Sequence, residues 1–141
     1  MNREKSCGAV VFTRTGGGIR YLIIRSKGGV HGFPKGHVER DETERETALR
    51  EIREEVGLRV RLFDGFRTEV ERPLPKKPGV IKTIVYFVAE YAGQEIRTQP
   101  TELSGAELLS YEEAMAVLEF DTAKRVLNEA NAFLIAHTSA L

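Results

Sequence analysis

Apolar and β-branched residues fall into short blocks along the chain, and their spacing predicts most of the elements. Residues 6–14 (SCGAVVFTR) and 19–26 (IRYLIIRS) are aliphatic runs separated by a glycine-rich TGGG, which predicts a β-hairpin. Residues 28–37 (GGVHGFPKGH) are punctuated by Gly and Pro and read as a loop. A helix then runs to Gly57, with Asp41 as its expected N-cap and Glu44 as capping-box partner. Gly57 is a natural left-handed stop. Residues 58–71 alternate in part and read as one strand, and 72–79 (RPLPKKPG) as a turn with three prolines. The strongest strand is 80–91 (VIKTIVYFVAEY). A short strand at 106–111 follows, and then amphipathic helices at 111–118 and 121–137, the last with Asp121 as expected N-cap. Strands early, one helix inserted among them and helices at the end predict an α/β (α+β) fold, a mixed sheet sandwiched between helices.

The inserted helix carries an unusual charge pattern. At about 100° per residue, Leu49, Ile52 and Val56 form one apolar stripe, expected to face the core. Glu44, Glu51, Glu54 and Glu55 share a neighbouring face. Glu46, Arg50 and Arg53 lie toward the remaining side, where Glu46 and Arg50 are spaced to pair. Like charges at three- and four-residue spacing repel, and the negative end of the helix dipole worsens this near Glu54 and Glu55. Two arrangements offset the repulsion: a solvated salt-bridge face, or a bound hard cation such as Mg²⁺ or Mn²⁺.

The 141 residues suit one domain, taken as 1–141, and are long enough for a true core. Lys+Arg and Asp+Glu both number 21, so net charge gives no reason to expect long nucleic acid or an acidic membrane as partner. No apolar run approaches a membrane span, and the N-terminal apolar segment is too short for a signal peptide. The single cysteine, Cys7, excludes an internal disulfide and suits a reducing cytoplasm. It reads as a small buried strand residue, with a reactive thiol as the alternative.

What decides between salt bridges and a metal site is the longer pattern. Gly36, five residues, Glu42, seven residues, then Arg50-Glu51-Ile52-x-Glu54-Glu55-x-Gly57-Leu58 reproduces every fixed position of the Nudix box. The chain resembles the Nudix hydrolase family from about residue 5 to residue 133. The resemblance implies that Glu51, Glu54 and Glu55, with Gly36 and a loop glutamate at Glu102, hold divalent cations. It also implies that Arg50 orients the carboxylates, with catalysis resting on Glu51, Glu55, Arg50 and Glu102. The implied chemistry is metal-dependent hydrolysis of a pyrophosphate bond in a nucleotide.

The flanking segments CGAVVF, FPKGHVE, ETALREIREEVG, KTIVYFVAE and EFDTAKRVLNEANAFL are similar to those of the asymmetrical diadenosine tetraphosphate hydrolases. This implies a dinucleoside polyphosphate substrate cut to ATP and AMP. Lys35, His37 and Lys82 would contact phosphates, and Phe120 would stack on a base. Read without the resemblance, Lys35 and Lys82 are ordinary loop and strand-edge lysines, His37 a polar loop residue, Glu102 one acid in a polar loop and Phe120 a helix-capping core residue. The chain also departs from that group. His31 stands where many members carry tryptophan, and Arg72-Pro73 where an adenine-stacking tyrosine is expected. Lys76 and Lys77 in the following loop are either phosphate contacts or turn residues. Alternatives are a house-cleaning triphosphate pyrophosphatase, a remover of RNA 5′ pyrophosphate, or a nucleotide-sensing module without catalysis. A monomer or weak dimer is expected.

Overall fold

The computed structural model describes residues 2–74 and 76–138; Met1, Pro75 of the expected proline turn, and 139–141 lie outside them. The chain forms β1 (Asn2–Thr15), β2 (Gly18–Ser26), β3 (His31–Gly32), β4 (Lys35–His37), α1 (Glu44–Val56), β5 (Arg61–Leu62), β6 (Thr68–Pro73), β7 (Val80–Glu90), β8 (Leu103–Leu109), α2 (Tyr111–Val117) and α3 (Asp121–Thr138). Among the described residues, these strands all join one mixed sheet. The long central pair β1 and β7 runs parallel, from Asn2 beside Val80 to Phe12 beside Glu90. Antiparallel strands flank it: β2 and β4 on β1, β5 and β6 on β7, and β3 and β8 on β2.

Both faces of this sheet are covered, which explains why its central strands are nearly unbroken apolar runs. Cys7, Ala9, Val11, Val85 and Phe87 pack against Ala48, Ile52 and Val56 of α1. Val10, Phe12, Ile84, Tyr86 and Val88 pack against α2 and α3 through Ala114, Val126, Leu127 and Leu134. Cys7 is fully buried and its thiol is pushed up to about 11, chiefly by burial, as befits a structural residue. No helix among the described residues is long and apolar enough to cross a membrane.

Several local expectations are corrected. The N-cap of α1 is Thr43, not Asp41, and its capping-box partner is Glu46. Glu44 instead pairs with Arg67 and Lys5. Leu49 is 39% exposed, and the buried stripe of α1 is Thr47, Ala48, Ile52, Glu55 and Val56. Residues 58–71 are two strands, because the chain turns at Asp64-Gly65, where Gly65 adopts φ 91°. The loop expected at 28–37 contains β3 and β4. Asp121 is the first residue of α3, whose first carbonyl acceptor is Phe120, bonded by the Lys124 amide. Gly57 ends α1 as expected, at φ 71°.

Gly8 fixes how closely β4, and hence the site, approaches β1. A Cβ there would lie 2.0 Å from the Pro34 carbonyl oxygen, a backbone atom with little freedom to retreat. Gly8→Ala is therefore expected to destabilise the fold by about 2 kcal/mol, the usual scale of overpacking. Urea denaturation measures this, and an unchanged midpoint would contradict it.

Candidate active site

The sheet presents a polar patch at the N-terminal halves of β1 and β7, beside α1. Strand alternation places its members. Lys35 lies opposite Gly8, and His37 opposite Ser6. Lys82 lies between Glu4 on β1 and Arg72 on β6. Gly36 sits against α1, where an added Cβ would fall 2.0 Å from the Glu51 carboxyl carbon. Only glycine lets β4 come this close to that carboxylate.

Glu55 is almost fully buried, and the Lys35 amide donates to its Oε1 at 2.8 Å. Burial raises its carboxyl to about 7, with the negative charges of Glu51 and Glu102 adding to the shift against the Lys35 hydrogen bond. Burial likewise raises Glu51, opposed by Arg50 and reinforced by Glu54 and Glu102. Lys35 shifts the other way, down to about 8, because it is buried and faces Lys82 and Arg72, while Glu55 and Glu51 hold it up.

Arg50 stands at the centre of the acidic group rather than on the opposite side of the helix. It does not pair with Glu46, whose carboxylate accepts from the Thr43 amide. Its guanidinium makes a bidentate contact with Glu42 at 2.6 and 3.0 Å. It also donates to Glu51 at 2.7 Å, Glu54 at 2.9 Å and the His37 carbonyl at 2.9 Å. Glu42 in turn accepts from the Glu39 amide and the Thr47 hydroxyl, tying the loop to the helix. These bonds, Arg50 foremost, hold the Glu42 carboxyl down at about 2. A depressed carboxylate contributes stability above its ordinary value of 4.5 and loses it as pH falls through about 2. Glu42→Gln should therefore lower the urea midpoint at pH 7, with the gap to wild type closing between those two values. A gap independent of pH would contradict this.

Among the described residues, no three acidic, histidine or cysteine groups already converge to hold an ion. The donor set nonetheless suits a hard divalent cation. Glu51, Glu54 and Glu55 offer oxygen ligands, and they are crowded by like charge: Glu51 by Glu54 and Glu102, and Glu55 by Glu51 and Glu102. Glu102 is exposed, and it reaches this neighbourhood through a feature invisible in its own sequence context. The Arg97 and Gln99 amides cap the α1 carbonyls of Val56 and Glu55 at 2.9 and 2.8 Å, docking the segment that leads to Glu102. The charge of Glu102 is felt at both Glu51 and Glu55.

Beyond Lys35 the patch opens into a cleft of about 360 Å³, lined by Phe33, Lys35, Arg72, Tyr86 and Phe120 among others. Phe33 and Tyr86 meet edge to face, with ring centres 5.5 Å apart. Phe120 is 47% exposed at the mouth, so it is not a core cap, and the Arg72 guanidinium lies 5.9 Å from its ring centre. His31 anchors this wall. Its amide and Nδ1 meet the Glu119 carboxylate at 2.9 and 2.7 Å, next to Phe120. His37 is exposed, with Nε2 3.7 Å from Glu4. The patch thus joins an acidic, metal-suited end, a row of cations and an apolar slot with an exposed ring.

The NUDIX domain profile matches residues 3–130. The chain is 32% identical to the asymmetrical bis(5′-nucleosyl)-tetraphosphatase of Sus scrofa over 142 aligned positions, covering 92% of this chain and 95% of that protein. It is 30% identical to the NAD-capped RNA hydrolase NudC of Photorhabdus laumondii over 112 positions, 79% of this chain but 41% of that protein. Its fold is similar to that of a C. elegans Ap4A hydrolase solved as a binary complex, with a TM-score of 0.86 and 21% identity over 94% of this chain and 98% of the other.

Proposed function

The chain belongs to the Nudix hydrolase family, a pyrophosphohydrolase, and from that premise we propose that it cleaves dinucleoside polyphosphates, converting diadenosine tetraphosphate to ATP and AMP. The observation that carries the substrate class is the continuity between the Phe120–Arg72 cleft, the Lys35–Lys82 row and the Glu51–Glu55 end. A nucleoside in the cleft would lie beside Lys35 and Arg72, so its phosphates can run along the cations toward the carboxylates.

Glu51, Glu54 and Glu55, with Glu102 from the docked loop and the Gly36 backbone beside them, would hold Mg²⁺ or Mn²⁺. A divalent cation held there supplies Lewis acidity toward phosphoryl oxygens and an activated water. The chain's own residues do the rest. Lys35 and Lys82 bring positive charge to the phosphate oxygens, and their partial burial strengthens that attraction. Arg50 fixes the orientation of Glu51 and Glu54. Phe120 offers a face for a base, an interaction of ~1–3 kcal/mol. His37 stands at the outer edge of the same phosphate path.

The site has no two-fold symmetry: one slot binds a nucleoside and one acidic end lies at a fixed distance from it. Attack therefore falls at one register of the phosphate chain, and the similarity to the asymmetrical tetraphosphatases favours the off-centre bond. Incubation of diadenosine tetraphosphate with the protein and Mg²⁺, with products resolved by ion-exchange chromatography, should give ATP and AMP. Two ADP as main product would overturn the off-centre assignment. Fast cleavage of simple triphosphates with no cleavage of any dinucleoside would replace the substrate class with the house-cleaning one.

A further inference from the structure

The cationic row contains one residue of the wrong sign. Glu4 lies directly beside Lys82 across the parallel β1–β7 pair, and Lys82 lies beside Arg72 on β6, so one rung of the sheet reads carboxylate, ammonium, guanidinium. Lys77, from the turn between β6 and β7, reaches back to Glu4 at 2.7 Å, and His37 Nε2 lies 3.7 Å from the other Glu4 oxygen. The Lys77 hydrogen bond comes first among the causes that hold the Glu4 carboxyl below the usual range, so it is ionised at neutral pH.

Position gives this charge its meaning. Lys35 feels Glu51 and Glu55 on one side and Lys82 and Arg72 on the other. Lys82 feels Arg72 and Glu4. In the sheet register Lys35 stands on the Gly8 rung beside the acidic end, and Glu4, Lys82 and Arg72 share the rung two same-face positions further out, with Lys77 bonded to Glu4. A phosphate chain lying on the row meets attraction at Lys35 and, once it reaches the outer rung, a carboxylate directly beside Lys82. That carboxylate also occupies Lys77, the cation nearest to it.

We propose that Glu4 is a specificity-determining residue that limits the length of phosphate chain the site accepts, by repelling the outermost phosphates and keeping Lys77 engaged. This rests on the dinucleoside polyphosphate reading for its biological meaning, but not for its test. A short chain ends before Glu4 and is indifferent to it. A longer one either stops short or must take Lys77 from Glu4. Removing the charge should leave the outer rung wholly attractive and release Lys77.

The test uses the full chain and inorganic polyphosphates, which carry no nucleoside, in chelator so that nothing turns over. Titration calorimetry compares tripolyphosphate with a longer linear polyphosphate. In wild type the longer chain should gain little affinity over the shorter. In Glu4→Gln it should gain about three- to fivefold, the scale of one exposed charge pair, while tripolyphosphate changes less. Glu4→Gln combined with Lys77→Gln should lose that gain, which distinguishes a liberated Lys77 from a mere fall in negative charge. A long-to-short affinity ratio equal in wild type and Glu4→Gln would overturn the proposal, as would no binding of either chain to either protein. Glu4 is partly exposed at the start of β1, and matched thermal midpoints verify that the variants fold. Failure of the substrate reading would show separately, in the products from dinucleosides.

Discussion

Glu55→Gln should lower kcat by about 10²-fold or more without lowering the stability of the metal-free protein. Glutamine keeps the side-chain shape, and its amide oxygen can still accept the Lys35 N–H that now bonds Oε1. What it loses is the negative charge, and that charge is the one the fold holds at greatest expense. Glu55 is 6% exposed and its carboxyl is raised to about 7, first by burial and then by Glu51 and Glu102. A group kept ionisable against both desolvation and like charge contributes nothing to the bare fold. Its neutral isostere should leave the urea midpoint at pH 7 equal or higher. The rate loss is large because a ligand charge for the cation disappears, and with it the polarisation of the phosphoryl group. Glu54→Gln should also lose rate, while its stability behaves differently, because Glu54 is exposed and bonded to Arg50. Near-normal kcat in Glu55→Gln would remove Glu55 from the site. A rate loss accompanied by an equal loss of stability would mark it as structural.

The periodicity of the chain made the sheet, the α1 helix and the two C-terminal helices legible, because apolar spacing reports which way each Cβ points. It was poorer at locating the heads of long side chains. Arg50 projects from the helix on the side of Glu46, yet its guanidinium swings across to Glu42, Glu51 and Glu54. Helical spacing fixes the root of that side chain and not its tip. The N-cap was ambiguous for a related reason. Asp41–Glu44 and Thr43–Glu46 both have capping-box spacing, and the choice is settled by tertiary partners, since Glu44 is taken by Arg67 and Lys5. Phe120 and His31 lie far apart in sequence and share the cleft wall, where Glu119, next to Phe120, bonds His31. No local signal could have joined them. The docking of 97–99 on the end of α1, which carries Glu102 toward the carboxylates, is backbone hydrogen bonding with no side-chain signature at all. The resemblance to the Nudix box supplied positions for the carboxylates, and the structure supplied the reason Gly36 must lack a side chain.

Arg50→Gln should destabilise the protein strongly without metal and much less with it. One guanidinium contacts Glu42, Glu51 and Glu54, so Arg50 supplies positive charge to the same carboxylates that a cation would bind. Removing it leaves partly buried carboxylates facing one another with no counter-charge. Breaking one partner of a buried ion pair costs roughly 3–5 kcal/mol. Arg50 is 23% exposed at the side chain, so water screens part of the effect and about 2–3 kcal/mol is expected here. A divalent cation bound to the same carboxylates restores the missing positive charge. Stability gained from a ligand follows its concentration over Kd and reaches about 2.7 kcal/mol at a hundredfold excess. The variant also lacks the guanidinium that competes for Glu51 and Glu54, so its affinity for the ion should rise and its gain exceed that of wild type. Urea denaturation in chelator and in saturating Mg²⁺ measures both differences. The deficit of Arg50→Gln should shrink by half or more when Mg²⁺ is added. A deficit identical in the two conditions would mean that Arg50 and the metal do not share the carboxylates, and that the cations bind elsewhere.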